Sequence, residues 1–368
     1  MIPLAKPELG EREEQLVLEV LRSGVLSLGP VQERFERAFA QWLGVDDAVA
    51  VSSGTTGLHL GVRALDWGTG DEVLTSPFSF VASANCLLYE GAKPVFCDVD
   101  PETLDLDPEA AAAAIGERTR GILPVHIFGY PAAMPELEAI AAERGLTILE
   151  DACEALGATD SEGGGVGTRG NLATFAFYPN KQMTTGEGGM VIPPSADVAA
   201  RLRAERNQGR AADMGWLDHG GLGFNYRLSE LAAALGVAQV EKLDAMLTRR
   251  SELAASYAGH LDSVVGVEAP ISGRGAERRS WFVYPVRLAP AHDRDATIAA
   301  LAERGVASKA YLPCIHLFPH LRELGYGEGQ FPVAEEASRR SLALPFFTTM
   351  TSVEVERVCE ALAESLES

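Results

Sequence analysis

Hydrophobic and polar positions alternate along this chain with two periods, and the switch between them maps its elements. Residues 10–22 and 31–43 repeat apolar positions every three to four residues and predict two amphipathic helices, separated by a Gly- and Pro-punctuated loop at 23–30. Short apolar runs follow at 48–52, 72–75, 94–97, 121–125 and 146–149, interleaved with helical patterns at 55–65, 80–89, 108–115 and 134–144. Strand-helix alternation of this kind predicts an α/β fold, with a mostly parallel sheet covered by helices on both faces and ligands gathered at the C-terminal ends of the strands. An apolar, aromatic run ends at Pro179 and another begins at Met190. Beyond it, 196–206 reads as a helix, and 209–223 as a glycine-bearing loop of a length that is more often functional than idle. A long helical region spans 229–261 with a break near Thr248. The expected division falls there: a large domain of residues 1–245, and a small α+β domain of 246–368 on which the N-terminal segment packs. The small domain carries a strand at 281–288, helices at 294–304, 332–341 and 352–366, and a proline-studded loop at 311–332.

Composition narrows the class. A formal net charge of −21 over 368 residues argues against nucleic acid or an anionic membrane as a partner, since either is repelled over most of such a surface. A phosphorylated ligand must therefore meet a local nest of donors. No apolar run is long enough for a membrane span and the N-terminus lacks a signal-peptide pattern, so the expected location is the cytoplasm. The five cysteines form no Cys-x-x-Cys pair, which favours reduced core thiols over disulfides or a metal site.

Candidate chemistry centres on Lys181. It follows the aromatic run and precedes Gly-Glu-Gly-Gly (186–189), so among the five lysines it alone is held between strands and glycines. A lysine desolvated in such a place gives up its proton readily, the condition for attack on an aldehyde. Three further groups suit a phosphorylated aldehyde on that lysine. Ser-Ser-Gly-Thr-Thr-Gly (52–57) turns a strand end into a helix start, where free N–H groups and hydroxyls form an anion cup, although Thr55 and Thr56 suit plain helix caps as well. Glu150 and Asp151 end an apolar strand, and a carboxylate there could keep a pyridine nitrogen protonated. Alternation favours Asp151, though acidic residues after a strand also cap helices. Phe80, at the head of a helix, could stack on a flat ring, but by itself it reads more readily as core.

Taken in order, Ser-Ser-Gly-Thr-Thr-Gly, Ser-Pro-Phe-Ser-Phe-Val-Ala (76–82), Glu-Asp-Ala-Cys-Glu-Ala-Leu-Gly (150–157), Phe-Tyr-Pro-Asn-Lys-Gln-Met-Thr-Thr-Gly-Glu-Gly-Gly (177–189) and Gly-Phe-Asn-Tyr-Arg-Leu-Ser-Glu-Leu (223–231) make a specific set. The chain resembles the DegT/DnrJ/EryC1/StrS family of pyridoxal-phosphate-dependent sugar aminotransferases over nearly its whole length. The resemblance implies a fold-type I, aspartate-aminotransferase-like architecture with a mostly parallel seven-stranded sheet, and a homodimer with shared active sites. It makes Lys181 the lysine that holds pyridoxal 5'-phosphate and shuttles the proton, and Asp151 the partner of the pyridinium nitrogen. Phe80 would stack on the ring, Gly54, Thr55 and Thr56 would hold the phosphate, and Asn225 would reach it from the neighbouring subunit. Tyr311 and His316, on Tyr-Leu-Pro-Cys-Ile-His, and Arg227 are the implied substrate contacts. The implied reaction runs in two stages through pyridoxamine 5'-phosphate, with L-glutamate or glutamine as donor and a ketone on a nucleotide-linked sugar as acceptor, in amino-sugar, polysaccharide or glycoside biosynthesis. Arg206, Arg210, Arg227 and Lys309 are candidates for the nucleotide's phosphates. Two positions depart from the family pattern. Ala176 stands where a serine often serves the phosphate, and Glu154 stands where His or Gln is usual near the cofactor's phenolic oxygen. Alternatives within the family are a cyclitol aminotransferase or a sugar dehydratase, which typically replaces the lysine with histidine; an idle ligand-binding homologue is the alternative outside catalysis.

Overall fold

The computed structural model describes residues 1–210 and 218–367. Seven strands form the large sheet: β1 (Val49–Val51), β2 (Glu72–Thr75), β3 (Lys93–Phe96), β4 (Thr119–Leu123), β5 (Thr147–Asp151), β6 (Leu172–Ala176) and β7 (Gly189–Ile192). Their order is β1-β7-β6-β5-β4-β2-β3, and β7 alone runs antiparallel to both of its neighbours. The sheet is buried on both faces, which is why its strands read as apolar runs. Period-two alternation divides their side chains between two cores. Val49, Val51, Leu172 and Val191 pack toward the helix Gly54–Ala64, while Ala48, Ala50, Ala173, Phe175, Met190 and Ile192 pack toward the helices Pro30–Leu43 and Glu230–Glu241. On the second face Phe39 meets Phe35, Phe175 and Phe177 edge-on at 5.4–6.3 Å between centroids. Each such buried ring contributes about 1.5–3 kcal/mol.

A second, wholly antiparallel sheet contains β8 (Val267–Glu268), β9 (Tyr284–Leu288), β10 (Lys309–Ala310) and β11 (Ser341–Leu344), in the order β10-β11-β9-β8. The helices Leu243–Leu261 and Ser352–Leu366 cover it with Leu253, Tyr257, Leu261, Val355, Val358 and Leu362. The N-terminus joins this layer: Ile2 pairs in parallel with Val306, and Phe346 N–H donates to the Leu4 carbonyl. No helix among the described residues is long and apolar enough to cross a membrane.

Three expectations change. The long helical region breaks at Lys242 (φ −117°, ψ 8°), not near Thr248, whose hydroxyl donates to the Asp244 carbonyl inside an unbroken helix. A strand, β11, begins at Ser341, where the helix of 332–341 had been expected to end. The proline-studded loop holds two short helical turns, Ile315–Leu317 and Pro319–Arg322. Residues 211–217 of the 209–223 loop lie outside the described residues.

Candidate active site

The C-terminal ends of β5 and β6, the turn after β6 and the start of the helix Gly54–Ala64 converge on a cavity of about 510 Å³. Gly54, Thr55, Phe80, Asp151, Glu154, Ala176, Lys181 and Tyr311 line it. Lys181 stands in the connection between β6 and β7, whose far end closes through Gly186 at φ 81°. Arg250, on the helix Leu243–Leu261, donates from Nη2 to the Lys181 carbonyl at 3.0 Å and so ties the turn to the second layer. The Lys181 side chain is largely buried; its Nζ lies 3.2 Å from Glu154 Oε1 and 4.2 Å from the centroid of the Phe282 ring.

Burial alone was expected to free this lysine's proton. Burial does pull its pKa down, but the Glu154 charge, with smaller contributions from Tyr311 and Cys153, outweighs it and leaves the ammonium above its usual value. The Glu154 carboxylate thus favours the charged form of the free Lys181 amine.

Alternation along β5 separates the two acids. Asp151, 5% exposed, faces the cavity, where its Oδ2 accepts from Ser83 Oγ at 2.7 Å and its Oδ1 from the Cys153 N–H at 3.2 Å. Glu150 lies on the other face, beside His126 (3.1 Å) and accepting from the N–H groups of Gly167, Arg169 and Gly170 at 2.6–3.0 Å. Burial works against its charge, yet His126 and those N–H groups hold its pKa below the usual carboxylate range. It is a fastener of the 167–170 turn.

The helix Gly54–Ala64 starts against the sheet because position 54 has no side chain: a Cβ there would stand 2.7 Å from the Ala176 Cβ and 2.9 Å from Cys153 Sγ. Ser53 and Thr56 form a reciprocal cap, Thr56 N–H donating to Ser53 Oγ at 3.2 Å and Thr56 Oγ1 to the Ser53 carbonyl at 2.8 Å. Thr55 is on the cavity wall, whereas Thr56 is engaged in the cap and is not brought to it. Phe80 is 60% exposed on the cavity and is not core. The Tyr311 hydroxyl accepts from Asn180 Nδ2 at 3.3 Å.

Other expected contacts lie elsewhere. His316 is 0% exposed, 3.3 Å from Glu335 and edge-on to Phe331; burial pulls its ring below the ordinary imidazole range despite that acid. It is buried in the core and does not line the cavity. Arg206 is buried too, donating to the Ala50 carbonyl at 2.6 Å and paired with Glu36, and it does not line the cavity. Arg227 donates to Asn207 at 3.1 Å and lines a separate shallow cavity with Ser52, Thr185 and Glu187. Lys309 is exposed on the edge strand β10, and Arg210 adjoins the residues outside the description. Asn225 is exposed, bridged to Asn207, and does not line the cavity of its own chain.

Ser83, Cys153, Asn180 and Phe282 escaped sequence reasoning. Cys153 and Asn180 stand within the quoted motifs without a role of their own, and Ser83 stands one helical turn after Ser79, to which it is hydrogen-bonded at 2.7 Å.

The family profile for DegT/DnrJ/EryC1/StrS aminotransferases matches residues 7–363. The chain belongs to that family. It is thereby a pyridoxal-phosphate-dependent sugar aminotransferase by class, on the aspartate-aminotransferase-like fold. Among its relatives, GDP-perosamine synthase of Caulobacter vibrioides is 36% identical over 373 residues, covering 99% of this chain and 98% of that one. The spore coat polysaccharide biosynthesis protein SpsC of Bacillus subtilis is 34% identical over 377 residues, covering 99% and 96%. The crystal structure of DesV from S. venezuelae superposes with a TM-score of 0.93 at 34% identity, over 100% of this chain and 99% of that one. For a DegT/DnrJ/EryC1/StrS aminotransferase the donor set is apt: one largely buried amine, two buried carboxylates, Asp151 and Glu154, and a helix N-terminus face a single cavity.

Proposed function

We propose that this protein transfers an amino group from L-glutamate to the ketone of a nucleotide-linked sugar, with pyridoxal 5'-phosphate held on Lys181 in a homodimer that shares its active sites. The observation that carries this reading is the meeting of Lys181 and Asp151 in one cavity, at the end of the sheet where the helix Gly54–Ala64 begins. The similarity to GDP-perosamine synthase supports a nucleotide-linked acceptor. The same reading takes residues 1–245 as the cofactor-binding domain and 246–368 as the small domain, in the cytoplasm.

When bound, the cofactor supplies an aldehyde that captures amines and a pyridinium ring that draws electrons from the carbon losing its proton. The protein's own groups do the rest. Asp151, fixed through both oxygens, would present a negative charge to the ring nitrogen and keep it protonated. The N–H groups of Gly54 and Thr55 sit at the positive end of a helix and receive the phosphate. Phe80, displayed on the cavity wall, would cover one face of the ring. Lys181, once its amine is free, would take the proton from the substrate carbon onto Nζ and hand it back later in the cycle.

Borohydride reduction of the purified yellow protein, followed by peptide mapping, tests the assignment. The cofactor should be fixed to the peptide that contains Lys181; recovery on Lys93 or Lys242 would overturn it. Ala176 offers a second test, since it lines the cavity beside Gly54 and has no hydroxyl to offer a phosphate. Ala176→Ser should tighten cofactor binding by about 1 kcal/mol, one charge-assisted hydrogen bond, or about fivefold in Kd. Equal retention on dialysis would mean that another donor already fills the place.

A further inference from the structure

Glu154 has its two carboxylate oxygens divided between unlike partners. Oε2 accepts the backbone N–H of Phe128 at 2.9 Å, which fixes the head group, while Oε1 lies 3.2 Å from Lys181 Nζ. Both side chains are largely buried on the cavity wall. The charged and titratable groups around the pair come from several elements: Cys153 and Asp151 from the end of β5, Tyr311 from the loop after β10, Glu187 from the turn before β7, and Arg250 against the Lys181 carbonyl. Of these, Glu154 is the acid hydrogen-bonded to the amine.

We propose that Glu154 is the proton partner of Lys181, pairing with its ammonium whenever the lysine is free and accepting one proton from Nζ onto Oε1 when the amine must act as nucleophile or base. In that step one N–H bond breaks, one O–H bond forms, and the nitrogen lone pair is freed. Ammonium and carboxylate become amine and carboxylic acid, and the net charge of the pair does not change. Release of the proton to water would instead leave a lone carboxylate in a largely buried site, which costs several kcal/mol. The neutral acid also removes the repulsion that a carboxylate would exert on an anionic group bound in the cavity. The inference rests on the reading of Lys181 as the catalytic lysine. The raised basicity of Lys181 agrees with the pairing of its ammonium with Glu154.

The test follows the amine itself. The full-length chain, stripped of cofactor with hydroxylamine, is labelled with trace acetic anhydride across a pH series, and peptides containing Lys181 are quantified against the exposed Lys6. Wild-type Lys181 should gain reactivity at a higher pH than Lys6. Glu154→Gln keeps an acceptor for the Phe128 N–H but loses the charge, so Lys181 should react at least about tenfold faster at pH 8. A brace for the Phe128 turn and nothing more would leave the profile of the variant on that of the wild type, and that result overturns the proposal. Should the variant not fold, the wild-type series decides, because a Lys181 midpoint at or below that of Lys6 is incompatible with an ammonium held by Glu154. Failure of the aminotransferase reading shows separately, as a borohydride label absent from Lys181.

Discussion

Asp151→Asn should lower kcat for amino transfer by about two to four orders of magnitude while the fold stays intact. The wild-type carboxylate is nearly buried and receives one hydrogen bond on each oxygen, from Ser83 Oγ and from the Cys153 N–H, so its charge is fixed in position at the end of β5. Asparagine has the same shape and keeps a carbonyl acceptor, and the strand's backbone bonds, Asp151 N–H to the Pro124 carbonyl among them, do not depend on the side chain. What disappears is the negative charge opposite the ring nitrogen. A buried charge deprived of its partner is worth about 3–5 kcal/mol. At about 1.4 kcal/mol per decade, that becomes the stated loss of rate. Ser83→Ala keeps the charge and removes one hydrogen bond, so it should cost only about tenfold. The measurement is kcat at saturating cofactor, with melting temperature as the control on folding. An Asp151→Asn enzyme within tenfold of wild type at equal cofactor content would rule out the pyridinium role.

Local pattern made much of this site legible, and non-local packing made the remainder illegible. Lys181 could be singled out because an aromatic strand end and a glycine turn flank it within ten residues. The choice of Asp151 over Glu150 rested on alternation alone, and it took β5 to show that Glu150 faces His126 and the 167–170 turn. The charge on Lys181 was misjudged because burial was visible in the sequence and the distance to Glu154, 27 residues away, was not. His316 is the same case: Glu335 and Phe331, which enclose it, lie on the next helix and its approach. In the fold, the strands of the large sheet announce themselves by apolar runs. The reversed direction of β7 does not, since four residues carry no sense of direction. Val267–Glu268 and Lys309–Ala310 are two-residue strands at the edges of the second sheet, too short and too exposed to leave a periodic signal.

Whether the active site is shared can be read from a mixture of two inactive enzymes. Asn225 is exposed and absent from the wall of its own chain's cavity, yet its neighbours are firmly anchored. Phe224 and Tyr226 stack on each other at 4.9 Å, the Tyr226 hydroxyl lies 3.0 Å from His59 Nδ1, and the Arg63 guanidinium covers Phe224 at 5.1 Å. In the proposed shared site, this polar side chain, displayed at the surface from so rigid a mount, would reach the phosphate bound by a second copy of the chain. Lys181→Ala should be inactive, and Asn225→Asp severely impaired, because a carboxylate would then face the phosphate. Unfolded and refolded together in equal amounts, the two variants pair at random and about half of the dimers are mixed. If Asn225 serves the partner, a mixed dimer carries both lesions in one site and none in the other. Activity should then return to about a quarter of the wild-type level, since a symmetric dimer has two equivalent sites. If Asn225 serves its own chain, every site in every dimer keeps one lesion. The mixture would then show no more than the mean of its two components, and the shared site would have to be given up.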